Sequence, residues 1–161
     1  MSARSTSLVE IAARRGQAAA AGAALRAVLG AMPPLPGHAT VGASATLLWI
    51  APDTWLAVAP PEPPGALAAR LAAALGPAAA VIDQSCGLAV LRLDGPRARE
   101  VLARGCRIDL HPRAFGPGRV ARTIVAQIPT ILHQLDDAPS FELLVPSTLA
   151  RSFGEFLEAA A

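Results

Sequence analysis

Residues 45–60, ATLLWIAPDTWLAVAP, hold two apolar, β-prone runs around Ala51-Pro52-Asp53-Thr54. Proline presets φ and aspartate hydrogen-bonds its own backbone, so the centre reads as a tight turn and the whole as a hairpin carrying Trp49 and Trp55. A doubly wound parallel sheet needs one strand per crossover, so the fold class turns on what flanks this hairpin. Upstream, Leu8 to Ala13 is a short strand, and Gly16 to Leu29 is an Ala-rich helix with Leu25, Val28 and Leu29 at helical spacing and Gly30 as terminator. The segment MPPLPGHATVGAS between that helix and the hairpin is a Pro/Gly connection. Downstream, PPEPPG resets the chain, and Gly65 to Leu75 is a second helix with Leu67, Leu71 and Leu75 on one stripe, stopped by Gly76-Pro77.

The same unit then recurs. Ala79 to Asp83 and Gly87 to Leu93 read as a strand pair joined through Gln84-Ser85-Cys86. Asp94 or Gly95 opens a helix with Pro96 in its first turn, running to about Arg104 and ending at Gly105. A polar connector, GCRIDLHPRAFGPG, leads into a strand over Arg119 to Ile128. Thr130 to Leu135 and Phe141 to Val145 flank Asp136-Asp137-Ala138-Pro139-Ser140 as a second hairpin, and Ser147 caps a last helix that sets Leu149, Phe153, Phe156 and Leu157 on one face. Helices alternate with hairpins, so the class is α+β: antiparallel sheet covered by helices, built as two ferredoxin-like halves. Residues 1–6 are expected to be a disordered end, and residues 7–161 a single α+β domain.

Composition narrows the chemistry. The chain has 161 residues, 53% hydrophobic and 16% charged, enough for one core without disulfides or metals. All fourteen basic residues are Arg, so no amine exists for a Schiff base and no Lys for a phosphate loop. A net charge of +2 with 4% aromatic residues gives neither the charge nor the stacking surfaces of a nucleic-acid binder. Cys86 and Cys106 are too few for a disulfide framework, which indicates a reducing compartment. Arg14-Arg15 before an Ala-rich stretch is reminiscent of twin-arginine export, but Glu10 precedes the pair and Arg26 breaks the apolar core. With no uninterrupted apolar run of about 20 residues, the expectation is a soluble, cytoplasmic protein with no membrane partner.

Few side chains offer a reactive centre. His38, His111, His133, Cys86 and Cys106 could supply ligands, yet only Cys106 and His111, five apart across a loop, approach a metal-like spacing, and no metal site is expected. Cys86 lies in a turn near Asp83 without an identifiable His base, so an inert turn cysteine is the better reading. Gly116-Pro117-Gly118 lacks the following helix of a dinucleotide loop, and the adjacent pair Asp136-Asp137 suits a turn better than acid–base work. From Arg92 to Arg122 there are eight Arg against Asp94, Glu100 and Asp109. That run is either a solvated face or an Arg-lined surface that meets carboxylates of a protein partner. A connector of that length, holding Leu110 and Phe115 among its charges, should pack on something.

The string DQSCGLAVLRLDGPRAREVLARGCRIDLHPRAFGPG, residues 83–118, together with QIPTILHQLDDAPSFELLVPSTLARSFGEFL, AARRGQAAA and LLWIAPDTWLAVAP, resembles the gamma subunit family of heterotetrameric sarcosine oxidase over most of the chain. The most specific pieces are Gly105 to Phe115 and the hairpin from His133 to Pro146. One departure is Cys86, where the family carries a histidine after Gln-Ser.

The resemblance implies a fold like the folate-binding domain of the glycine cleavage aminomethyltransferase. It further implies a non-catalytic subunit that stabilises flavin-bearing large subunits during oxidative demethylation of sarcosine. The residues alone do not decide whether the chain is itself an enzyme; the resemblance makes it part of an oxidoreductase acting on CH–NH donors, with no catalytic residue of its own. Its partners would be the alpha, beta and delta subunits. FAD, FMN, NAD and folate are expected in the larger partners and zinc in the smallest, with no cofactor in this chain. Arg107, Asp109, His111, Arg113 and Phe115 are the expected partner contacts. The alternative is a tetrahydrofolate-binding protein of the same fold, stacking a pterin on Trp49 and Trp55, although tryptophans in a hairpin are more often core.

Overall fold

A computed structural model describes residues 2–161 of the chain. The elements run β1 (Ser2–Arg4), β2 (Ser7–Ala13), α1 (Ala18–Leu29), β3 (Ala39–Val41), β4 (Thr46–Ala51), β5 (Thr54–Ala59), α2 (Ala66–Leu75), β6 (Ala79–Asp83) and β7 (Leu88–Asp94). They continue with α3 (Ala98–Ala103), β8 (Val120–Val125), β9 (Ile128–Asp136), β10 (Ser140–Pro146) and α4 (Ala150–Ala160). The expected domain holds two compact units, one over residues 5–86 and the other over residues 87–161 joined by residues 2–4. Each contains a five-stranded, fully antiparallel sheet, as the alternation of helices with hairpins requires.

In the 5–86 unit the strand order is β3-β4-β5-β2-β6. Its last four strands with α1 and α2 form a split βαβ of the ferredoxin type, and β3 adds an edge. The hairpin at Pro52-Asp53 closes with Asp53 in the left-handed region at φ 51°, which aspartate tolerates, and the Thr54 hydroxyl donates to the Pro52 carbonyl at 3.1 Å. One sheet face meets the helices: Val9, Ile11, Leu47 and Trp55 pack with Leu25 and Leu29 of α1 and with Leu67, Leu71 and Leu75 of α2. Each of the larger side chains contributes about 1.5–3 kcal/mol relative to exposure. Helix α1 stops at Gly30, whose φ of 68° places its N–H 3.0 Å from the Arg26 carbonyl.

In the other unit the order is β1-β7-β10-β9-β8. The path β7-α3-β8-β9-β10-α4 repeats β2-α1-β3-β4-β5-α2, and the place that β6 fills beside β2 is filled beside β7 by β1. The 1–6 stretch expected to be loose therefore includes a strand, with Ser2–Arg4 paired to Arg92, Leu91 and Val90; Met1 lies outside the described residues. Three small or polar residues show no strand pattern of their own. The partner is selected by the open edge of β7. The core gathers Leu91, Leu132, Phe141 and Leu143 of the sheet with Val101 and Leu102 of α3 and Phe153 and Leu157 of α4.

Three further features depart from the sequence expectation. First, β6 and β7 do not pair with each other. The Leu8 N–H donates to the Ser85 hydroxyl at 3.0 Å and the Gln84 N–H to the Leu8 carbonyl at 2.8 Å, which keeps the turn along β2. Second, the strand expected over 119–128 breaks at Ala126-Gln127, both at positive φ (48° and 65°), a hairpin turn without the usual Gly or Asn signal. Third, Ser147 begins a 3₁₀ turn to Leu149 instead of capping α4, and Leu149 is 38% exposed rather than part of the buried stripe.

The strand β3 lies inside the Pro/Gly connection, paired to β4, and the chain leaves it through Gly42 at a crowded point. A Cβ there would stand 2.5 Å from the Leu29 carbonyl oxygen, 2.6 Å from the Ala31 Cβ and 2.9 Å from the Ala45 carbonyl oxygen. Gly42→Ala should therefore lower stability by about 1–3 kcal/mol in urea denaturation, and an unchanged midpoint would contradict this packing.

The PPEPPG connection is tied to α2 by a two-pronged ion pair, Arg70 Nη1 to Glu62 Oε2 at 2.8 Å and Nη2 to Oε1 at 2.9 Å. The Arg70 hydrogen bond holds the Glu62 carboxyl below the usual carboxylate range, so its contribution is present above the unfolded value and is lost as pH falls through the folded one. In an NMR titration, Arg70→Gln should return Glu62 to the ordinary range. A Glu62 curve indifferent to this substitution would disprove the clasp.

Candidate functional site

The Arg-rich connector, residues 105–118, is anchored at both ends and in the middle. At its start, the Ala126 N–H donates to the Gly105 carbonyl at 3.1 Å, and Cys106 bridges to Val125 of β8. Gly105 is needed for this approach, since a Cβ would lie 2.7 Å from the Phe156 ring and 2.9 Å from the Ala126 nitrogen. At its end, the Gly118 N–H donates to the Gln134 carbonyl at 2.8 Å. In the middle, Leu110 and Phe115 are 7% and 4% exposed and join the core of the unit. The sequence expectation that the connector packs is met by these two side chains.

A backbone without regular structure must still find partners for its carbonyls. Arg99, on α3, supplies them: its Nη1 donates to the Leu110 carbonyl and, at 3.0 Å, to that of Phe115. The same guanidinium lies 5.5 Å from the centre of the Phe141 ring, a cation–π contact that seats its planar group on the core. Between these anchors the chain turns tightly. Asp109 Oδ1 accepts the His111 N–H at 2.8 Å, and the His111 carbonyl accepts the Phe115 N–H at 2.9 Å. His111 Nδ1 accepts the Arg113 N–H at 3.2 Å, which leaves the ring proton of neutral His111 on Nε2.

Of the five residues singled out in this connector, Arg107, Asp109, His111 and Arg113 are exposed, while Phe115 is turned inward. Phe115 is therefore an anchor of the connector and not a surface residue. Of the eight arginines between 92 and 122, three are engaged within the unit. Arg92 pairs with Asp94 at 2.6 Å, Arg99 holds the connector, and Arg119 is half-buried with a partner of its own. Arg97, Arg104, Arg107, Arg113 and Arg122 are exposed, so the run is not simply one solvated face. The hydrogen bond from Arg92 holds the Asp94 carboxyl below its ordinary range.

The remaining candidates are scattered. Cys86 is exposed and Cys106 half-buried, and neither is in a disulfide. Asp83, the carboxylate nearest Cys86 in sequence, accepts the Ser85 N–H at 2.9 Å. Asp136 is a turn former, its Oδ1 accepting the N–H groups of Ala138 and Ser140 at 3.0 and 2.9 Å. Among the described residues no three His, Cys, Asp or Glu side chains come close enough to hold a metal ion. Trp55 is 4% exposed and packs in the core of its unit, which leaves it no open face for a pterin, and Trp49 packs half-buried against that core.

One polar pair was not visible to sequence reasoning. His133 and Glu142 lie opposite each other on β9 and β10, both buried, with Nδ1 3.5 Å from Oε2. Arg92 is the β7 partner of Glu142, so Arg92, Glu142 and His133 form a row across three strands. The signal was the register of the hairpin that closes at Asp136–Ser140, which places residue 133 against 142 once its bulge is counted.

Comparison with known proteins agrees with this architecture. No helix among the described residues is long and apolar enough to cross a membrane. The chain superposes on a chain of the heterotetrameric sarcosine oxidase from Corynebacterium sp. U-96, solved in complex with pyrrole 2-carboxylate. The TM-score is 0.86 at 33% identity, covering 97% of this chain and 79% of that one. It also matches the glycine cleavage system aminomethyltransferase T from Bartonella henselae in fold, with a TM-score of 0.70 at 19% identity over 96% of this chain and 44% of that one. Among curated sequences it is 48% identical to the sarcosine oxidase subunit gamma of Arthrobacter sp., over 68% of this chain and 55% of that protein. It is 42% identical to the subunit gamma of Corynebacterium sp. strain U-96, over 68% and 54%. The chain thus spans about half the length of the curated relatives it matches. With the sequence model of the Sarcosine oxidase, gamma subunit family matching residues 15–161, the chain belongs to that family.

Proposed function

We propose that this chain is the gamma subunit of a heterotetrameric sarcosine oxidase, a non-catalytic partner that stabilises flavin-bearing large subunits during the oxidative demethylation of sarcosine. The observation that carries the reading is the superposition on a chain of a heterotetrameric sarcosine oxidase over 97% of its length. The partners are the alpha, beta and delta subunits. FAD, FMN, NAD and folate reside in the larger partners and zinc in the smallest. The complex works in the cytoplasm.

What this chain's own residues supply is a shaped, cationic surface. Arg107, Asp109, His111 and Arg113 project from a connector whose backbone is fixed by Leu110, Phe115 and Arg99, so little ordering entropy remains to be lost on docking. Arginine suits this task, because its fork meets carboxylates with two parallel hydrogen bonds. Phe115 acts from within, holding the connector's shape.

Two measurements test the reading. The isolated chain should carry no flavin colour and should not oxidise sarcosine, whereas co-expression with the large subunits should give a complex that survives gel filtration. Arg113→Glu, at an exposed position, should leave the circular dichroism unchanged and weaken assembly about tenfold. Large subunits that reach full activity and stability without this chain would contradict the stabilising role.

A further inference from the structure

The sheet of the 87–161 unit has a second face, turned away from α3 and α4. Side chains alternate along a strand, so while Leu143 and Leu132 meet the helices, their neighbours Leu144 and Ile131 point the other way. Register extends that face: Val90 of β7 stands beside Leu144 and Arg122 of β8 beside Ile131, with Leu88 and Ile124 two residues further along their strands. Here the surface forms an open concavity of about 580 Å³ whose lining includes Leu88, Leu144, Ile131 and Ile124, with Arg107 and Arg122 beside them. Ile124 is 45% exposed and Leu88 and Ile131 are half-buried, while Leu144 and Val90 are buried. Arg107 and Arg122 are both exposed, and neither has an ion-pair partner among the described residues.

An apolar floor next to two guanidinium groups without carboxylates is complementary to a ligand that is aliphatic and anionic at once. The shape selects the kind of ligand. Small molecules are held in clefts that enclose most of their surface, whereas this concavity is open and borders β8, the edge strand of its sheet. Arg107 also belongs to the connector, so the concavity continues the docking surface proposed above. We propose that this face receives a polypeptide segment of a partner subunit, with an aliphatic side chain on the floor made by Ile124, Ile131 and Leu88 and a flanking Asp or Glu between Arg107 and Arg122. The inference rests on the subunit reading and adds the place and chemistry of the contact.

The test replaces Ile124 with the photoreactive p-benzoyl-phenylalanine in the full chain co-expressed with the large subunits, and replaces Val41, 80% exposed in the other unit, as a control position. The inference predicts an adduct from position 124 to one partner peptide carrying Asp or Glu within a few residues. It predicts that Arg107→Glu with Arg122→Glu cuts the adduct yield at least about tenfold while the far-ultraviolet spectrum stays the same. If the complex forms but position 124 gives no partner adduct, joins only to a second copy of this chain, or ignores the charge reversal, the inference is wrong and the subunit reading stands. If the unsubstituted chain forms no complex, the subunit reading fails and this inference fails with it.

Discussion

The grip of Arg99 on the 105–118 connector is the interaction on which the proposed docking surface depends. Without regular hydrogen bonding, that segment has no intrinsic reason to hold one shape. One guanidinium nitrogen gathers the carbonyls of Leu110 and Phe115, and the group lies against the Phe141 ring. Removing it would orphan acceptors in a partly buried setting, at about 1–3 kcal/mol for each fully buried group. Leu110 and Phe115 enter the core on either side of this clasp, and the polar side chains of His111 and Arg113 between them are left facing outward.

The scaffold beneath follows from repetition. Each unit runs strand, helix, edge strand, hairpin, helix, and each needs one more strand beside its first. The 5–86 unit takes it from the chain that follows its second helix, while the 87–161 unit takes it from residues 2–4. The helices cover one face of each sheet; the opposite face of the 87–161 unit carries the row of Arg92, Glu142 and His133, of which the last two are buried, and the concavity beside Ile124 and Ile131.

Most of this was legible in the sequence wherever a local signal was strong. Pro52-Asp53 and Asp136–Ser140 announced their hairpins through turn chemistry, and Leu67, Leu71 and Leu75 announced the buried stripe of α2. What escaped reading was set by partners distant in sequence. β1 depends on the edge of β7, β3 on its pairing with β4, and the Ala126-Gln127 turn on strands strong enough to hold two residues at positive φ. At the candidate site, the packing of the connector was readable from its length and its two apolar residues. The inward direction of Phe115 and the pairing of His133 with Glu142 required the register and the Arg99 clasp, neither of which leaves a pattern in the one-letter code.

Hydrogen exchange on the Arg99→Met chain tests the central claim most directly, because methionine keeps much of the packing volume and removes the donor. The account predicts that amides between residues 106 and 116 lose protection while those of β9 and β10 keep theirs. A connector as protected in the variant as in the parent would contradict it.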